Sequence, residues 1–110
     1  MNDDRSYLAL HFIMFQPKEN CVVLVKGLSF NVRASHTNEI FKTFGHVQSV
    51  ELAYVKGHST GWAYVHYSTP EEAKTAIDRM DGGCIDGCTV SVTLINPTVP
   101  IETYYHMNNY

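Results

Sequence analysis

The sequence predicts one α+β domain in which two helices cover one face of a four-stranded antiparallel sheet. Three observations predict it. Branched apolar runs at residues 21–25 and 89–95 have the length of buried strands, two intervening stretches carry apolar residues at helical spacing, and between those stretches two alternating runs face each other across a glycine-containing turn. The order strand, helix, strand, strand, helix, strand is the ferredoxin-like split βαββαβ arrangement, which leaves the second sheet face open. A chain of 110 residues holds one such core and little more than terminal segments. The expected division is an apolar leader over residues 1–20, the domain over 21–96 and a tail over 97–110.

The leader carries Tyr7, Leu8, Leu10, Phe12, Ile13, Met14 and Phe15 ahead of Gln16-Pro17. Nine residues, 7–15, are too few to span a bilayer, and Asp3 with Asp4 do not suit a signal-peptide start, so ordered packing over the domain is preferred to a frayed leader. Strand one ends at Lys26-Gly27. Helix one is expected over residues 35–44, where Ile40, Phe41 and Phe44 share a face and Gly45 stands just past the end; its start is left open, with Ser35 as a candidate cap and Arg33 standing where a capping Thr would suit better. Strand two, residues 47–55, sets Val50, Leu52 and Tyr54 against Glu51 and Ala53, and Lys56-Gly57-His58-Ser59 turns the chain into strand three. Thr69-Pro70-Glu71-Glu72 is a capping box with proline at the first helical position, so helix two starts there, buries Ala73, Ala76, Ile77 and Met80, and breaks at Asp81-Gly82-Gly83. Strand four follows at residues 89–95 and stops before Pro97. The last residues lose periodicity and read as a frayed tail; the alternative is that Tyr104, Tyr105 and Tyr110 fold back over the sheet.

Strand three, Thr60-Gly61-Trp62-Ala63-Tyr64-Val65-His66-Tyr67, carries the functional signal. Alternation puts Trp62, Tyr64 and His66 on one face and Ala63, Val65 and Tyr67 on the other. Small and branched groups suit a core, whereas neighbouring rings on the open face suit the stacking of nucleic-acid bases. The competing reading is that Trp62 and Tyr64 bind no RNA and pack beneath the leader or a protein partner. The octapeptide follows the pattern Lys/Arg-Gly-Phe/Tyr-Gly/Ala-Phe/Tyr-Val-x-Phe/Tyr, with Trp62 for a Phe/Tyr and Thr60 for the basic residue. Upstream, Val23-Leu24-Val25-Lys26-Gly27-Leu28 is similar to the first-strand hexapeptide that accompanies this pattern. On these two motifs, in this order and at this separation, the chain resembles the RNA recognition motif family.

The resemblance implies a single-stranded RNA site on the open sheet, with bases stacking on Trp62 and Tyr64 for roughly 1–3 kcal/mol each. Lys26 is expected to point toward the same face, and Lys56 and His58 in the hairpin are available for phosphate. His66, beside the rings, is counted with Leu24 and Thr60 among the candidate RNA-contact positions, against the plainer reading of an ordinary surface residue, and has no catalytic role. Leu24 stands where the first strand usually offers a ring, and Thr60 where Lys or Arg usually meets phosphate, so binding at the weak end of the family is expected. Asn31-Val32, Glu39-Ile40-Phe41 with Phe44-Gly45, Trp62-Ala63-Tyr64-Val65, and Met80-Asp81-Gly82-Gly83 with Ile85-Asp86-Gly87 resemble one branch in particular. That branch is the RNA-binding proteins with a serine-rich domain, found in exon-junction and splicing-associated assemblies. The branch implies a nuclear role in mRNA splicing and transcript surveillance, with shuttling to the cytoplasm left open. It also implies protein partners from such an assembly for a domain that is monomeric on its own. Against it, the chain has no serine-rich or Arg-Ser segment. The second function class is a protein-interaction module on the same fold, docking a partner peptide on the helix face or across the sheet, with little RNA affinity.

Eleven acidic against eight basic residues give a net charge of -3, which disfavours tight, sequence-blind binding to a polyanion. Cys21, Cys84 and Cys88 read as reduced thiols of an intracellular protein, and Cys84 with Cys88 supply too few ligands for structural zinc. No cofactor or membrane partner is expected. With no nucleophile elbow, phosphate loop, metal spacing or evident carboxylate pair, an enzyme is the weakest class.

Overall fold

The computed structural model describes residues 18–109, so the expected leader packing at residues 7–15 lies outside the described residues. In chain order the elements are β1 (Val22–Lys26), α1 (Ala34–Phe41), a 3₁₀ turn (Lys42–Phe44), β2 (Val47–Val55), β3 (His58–Tyr67), α2 (Pro70–Met80), β4 (Cys84–Ile85), β5 (Cys88–Thr89), β6 (Ser91–Ile95) and α3 (Ile101–Asn108). Four strands form one antiparallel sheet in the order β2-β3-β1-β6, as the ferredoxin-like reading requires.

Alternation divides this sheet between two apolar layers. Val23 and Val25 of β1 join Ala63, Val65 and Tyr67 of β3, together with Phe41, Ala73 and Ala76 from the two helices, in the main core. The intervening residues Val22, Leu24 and Tyr64 enter a second cluster. The Tyr67 hydroxyl crosses the main core to donate to the Phe41 carbonyl at 2.7 Å, and burial, with the Glu72 carboxylate, holds this phenol well above its usual pKa. It therefore remains a donor throughout the working pH range.

The capping box of α2 is complete. The Glu72 amide donates to Thr69 Oγ1, and Glu72 Oε1 accepts the Thr69 amide. Glu72 Oε2 also accepts the His46 amide at 3.0 Å, which ties the start of α2 to the segment leading into β2. These hydrogen bonds, led by the one from His46, lower the carboxyl pKa against a smaller opposing effect of desolvation.

Four expectations are corrected. Ser35 does not cap helix one: the capping position is Arg33, in extended conformation without a side-chain cap, and Ser35 lies inside α1. Packing sets the start, because buried Thr37 donates its hydroxyl back to the Arg33 carbonyl at 3.0 Å and Phe41 is fully buried one turn later. The hairpin turn is shorter than four residues. Lys56 and Gly57, with φ of 52° and 80°, close it alone, and His58 already pairs with Val55. Strand four does not begin at Thr89. The Val90 amide donates to Gly83 O and its carbonyl accepts from Gly82, which draws Val90 out of the run, while β4 and β5 form a small separate hairpin. The expected frayed tail instead contains the helix α3 over Ile101–Asn108, and Tyr110 of the fold-back alternative lies outside the described residues.

Candidate nucleic-acid interface

On the sheet face away from α1 and α2, β1 and β3 pair Leu24 with Tyr64, and Trp62 precedes Tyr64 by one alternation in β3. Gly61 makes this stretch possible. The β2–β3 register shifts between Leu52 and Tyr54, Gly61 sits opposite that shift at φ +82°, and a Cβ there would lie 2.6 Å from the Leu28 carbonyl oxygen. The Leu28 amide in turn donates to Gly61 O at 3.1 Å. Thr60 completes the irregularity: its hydroxyl donates to the Ala53 carbonyl at 2.9 Å and accepts the Trp62 amide at 3.3 Å. This geometry supplies the strand-three motif with its glycine requirement, its inward Ala63 and Val65, and its rings on the opposite face.

A family model described as the RNA recognition motif matches residues 23–91, more than half of the chain. The chain belongs to the RNA recognition motif family. It is 41% identical over 71 residues to RNA-binding protein with serine-rich domain 1 of Danio rerio, covering 62% of this chain and 25% of that protein. It is also 41% identical over 78 residues to a chloroplastic 33 kDa ribonucleoprotein of Nicotiana sylvestris, covering 69% of this chain and 24% of the relative. Serine/arginine-rich splicing factor SR45 of Arabidopsis thaliana is 38% identical over 82 residues, covering 73% and 20%. The chain thus spans about a quarter or less of these relatives' length. Among solved structures, the Rna15 RRM with bound GU RNA superposes with a TM-score of 0.69 at 12% identity, covering 84% of this chain and all of that one, a likeness of fold. The family is a non-enzymatic RNA-binding domain family.

In this RNA recognition motif the open face is not bare. Helix α3 crosses it, seating Ile101 in the cluster of Val22, Leu24, Ala53 and Tyr64. The Trp62 ring meets Tyr105 edge-on at 5.0 Å and 87°, and Tyr104 tilts against Trp62 at 6.1 Å and against Tyr64 at 6.2 Å. The Tyr64 hydroxyl donates to the Val99 carbonyl at 3.3 Å. Its pKa is raised well above the usual value, first by burial and then by Glu51 and Tyr104, so it stays protonated as a donor. Tyr64 is 0% exposed and Leu24 3%, whereas Trp62 is only partly covered. Short helices are marginal alone. With Pro100 at its capping position and no side-chain cap, α3 depends on this docking, while Asn108 and Asn109 side-chain amides donate to its last-turn carbonyls of Tyr104 and Tyr105.

The remaining candidates sort by position. Lys26 does face the rings, with Nζ 4.5 Å from the Trp62 ring centroid in a cation–π contact. His66 Nε2 lies 3.1 Å from Glu51 Oε1, and its ring stands edge-on to Tyr64 at 6.0 Å, so this histidine belongs to a cross-strand pair. The Thr60 hydroxyl is committed to the backbone. Lys56 and His58 are exposed at the hairpin end, apart from the covered rings. The structure also displays residues that the motifs did not single out. Phe30 is 73% exposed and Tyr54 41%, and they flank a cleft of ≈ 750 Å³ together with Arg33 and His58. The available signal was an apolar ring between turn-forming Ser29 and Asn31, with Leu28 and Val32 outside them as anchors.

Proposed function

We infer that this domain binds single-stranded RNA on the sheet face bearing Trp62 and Tyr64, and that α3 must leave or shift for the bases to stack there. The observation that carries the reading is that both motif rings lie outside the main core and are covered by Tyr104 and Tyr105 of a single short helix. That helix can be exchanged for bases without disturbing the α1–α2 core. The apparent affinity is the intrinsic one multiplied by the fraction of molecules with α3 displaced. Missing contacts at Leu24 and Thr60 reduce it further. The likeness to splicing factor SR45 and to the serine-rich-domain protein supports a nuclear role in mRNA processing.

A second reading has its own observation. The face already accommodates a helical segment through aliphatic contacts of Leu24, Ala53 and Ile101, which suits a partner peptide as well as RNA. Titrating a fluorescent single-stranded RNA pool against the wild type and a Trp62→Ala, Tyr64→Leu variant, each checked for folding, separates the two. Wild-type binding lost in the variant is the expected result. No wild-type binding even at low salt favours the peptide-docking module.

A further inference from the structure

Phe30 is presented by a rigid turn. Leu28 and Val32 are buried on either side of it, the Val32 amide donates to Ser29 O at 3.1 Å, and the Asn31 amide donates to Ser29 Oγ at 3.2 Å. The Leu28–Gly61 hydrogen bond fastens this turn to β3. The backbone thus extrudes one ring between two anchored residues, and the ring loses little conformational freedom when a ligand covers it. Clefts open on both sides of Phe30. The ≈ 750 Å³ cleft reaches Tyr54, Arg33 and His58, and a second of ≈ 570 Å³ reaches Thr60 and the uncovered part of Trp62. Among the described residues, none from α3 lines either cleft.

Charge points to the occupant. In a chain with eleven acidic residues, neither cleft is lined by a carboxylate. Arg33 has no carboxylate partner among the described residues, Lys56 adjoins lining residue Gly57, and Lys26 sits over Trp62. This is the cationic corner of an acidic domain, and it combines exposed rings with positive charge, the pairing that single-stranded nucleic acid uses.

We propose that Phe30 and its two clefts form a nucleotide site for single-stranded RNA that remains open while α3 is docked, with a base on the Phe30 ring and phosphates met by Arg33 and Lys56. This rests on the RNA-binding reading and extends it. The covered sheet would otherwise offer RNA only the uncovered part of Trp62, whereas Phe30 gives a first point of attachment from which a strand can run toward the sheet once α3 moves. It also supplies a ring that Leu24 does not.

The test uses the full chain and a labelled single-stranded RNA pool, comparing wild type, Phe30→Ala, Phe30→Tyr, Arg33→Ala and a Tyr104→Ser, Tyr105→Ser variant that loosens α3. Because Phe30 is exposed, its replacement leaves the thermal midpoint unchanged by circular dichroism. Phe30→Ala is expected to weaken wild-type binding roughly tenfold, with Phe30→Tyr close to wild type. Arg33→Ala reduces the slope of log affinity against log salt by about one. Unchanged affinity in Phe30→Ala, with binding still sensitive to Trp62→Ala, overturns the Phe30 site and leaves the sheet reading intact. No binding by wild type or by the loosened variant overturns both. A glutamate-rich peptide that binds more tightly than RNA, in a Phe30-dependent way, overturns RNA as the occupant.

Discussion

Replacing Ile101 by Ala tests whether α3 governs access to the sheet. Ile101 is 3% exposed and is the residue of α3 fully seated among Val22, Leu24, Ala53 and Tyr64. Truncating a buried isoleucine to alanine costs about 2–5 kcal/mol. Because α3 touches the domain through one face and follows the last strand of the sheet, that cost falls on helix docking and not on the α1–α2 core. Taking the lower end, about 2 kcal/mol, the ratio of open to closed molecules rises roughly thirtyfold. Apparent RNA affinity rises by the same factor until the open form dominates, so the gain is about ten- to thirtyfold. Anisotropy of a labelled RNA reads the affinity. Trp62, the only tryptophan, reads helix release independently, since it loses Tyr105 from 5.0 Å and its emission moves to the red. Red-shifted Trp62 emission with unchanged or weaker RNA affinity would show that the helix does not gate the site.

Other substitutions probe how the interface is held. Gly61→Ala puts a Cβ 2.6 Å from the Leu28 carbonyl at φ +82°; a loss of about 1–3 kcal/mol in denaturant unfolding is expected, and an unchanged midpoint would remove the steric account. Tyr67→Phe leaves the buried Phe41 carbonyl without its donor at 2.7 Å, for about 1–3 kcal/mol, measurable by chemical denaturation. The pKa of Glu72 is lowered on folding, so its stabilisation is present above the usual carboxylate pKa and disappears as pH falls through the folded value. Thermal midpoints of wild type and Glu72→Gln should therefore differ at neutral pH and converge in acid. Parallel curves at all pH values would contradict that linkage.

Much of the candidate site was legible because its cause is local. The order of elements, the capping box at Thr69–Glu72 and the opposition of Trp62 and Tyr64 to Ala63 and Val65 follow from periodicity and side-chain chemistry within a few residues. The errors at helix one and strand four fell where distant packing overrides local preference. Helix one begins at Ala34 because Thr37 and Phe41 find places in the core, and Val90 leaves the last strand because its backbone pairs with Gly82 and Gly83.

The sequence by itself determined the family, the two-faced strand and the glycine at position 61, since a period of two and the special backbone of glycine are properties of the chain at that point. Only the tertiary structure decided which rings meet solvent. An eight-residue helix with no strong cap is stable where it finds an apolar seat, and that seat is made by Val22, Leu24, Ala53 and Tyr64 from three different strands. Phe30 likewise stands in water because Leu28 and Val32 are anchored and Leu28 is tied to Gly61. Both outcomes depend on contacts between residues far apart in sequence, where the pattern of any one segment carries no information about what will cover it.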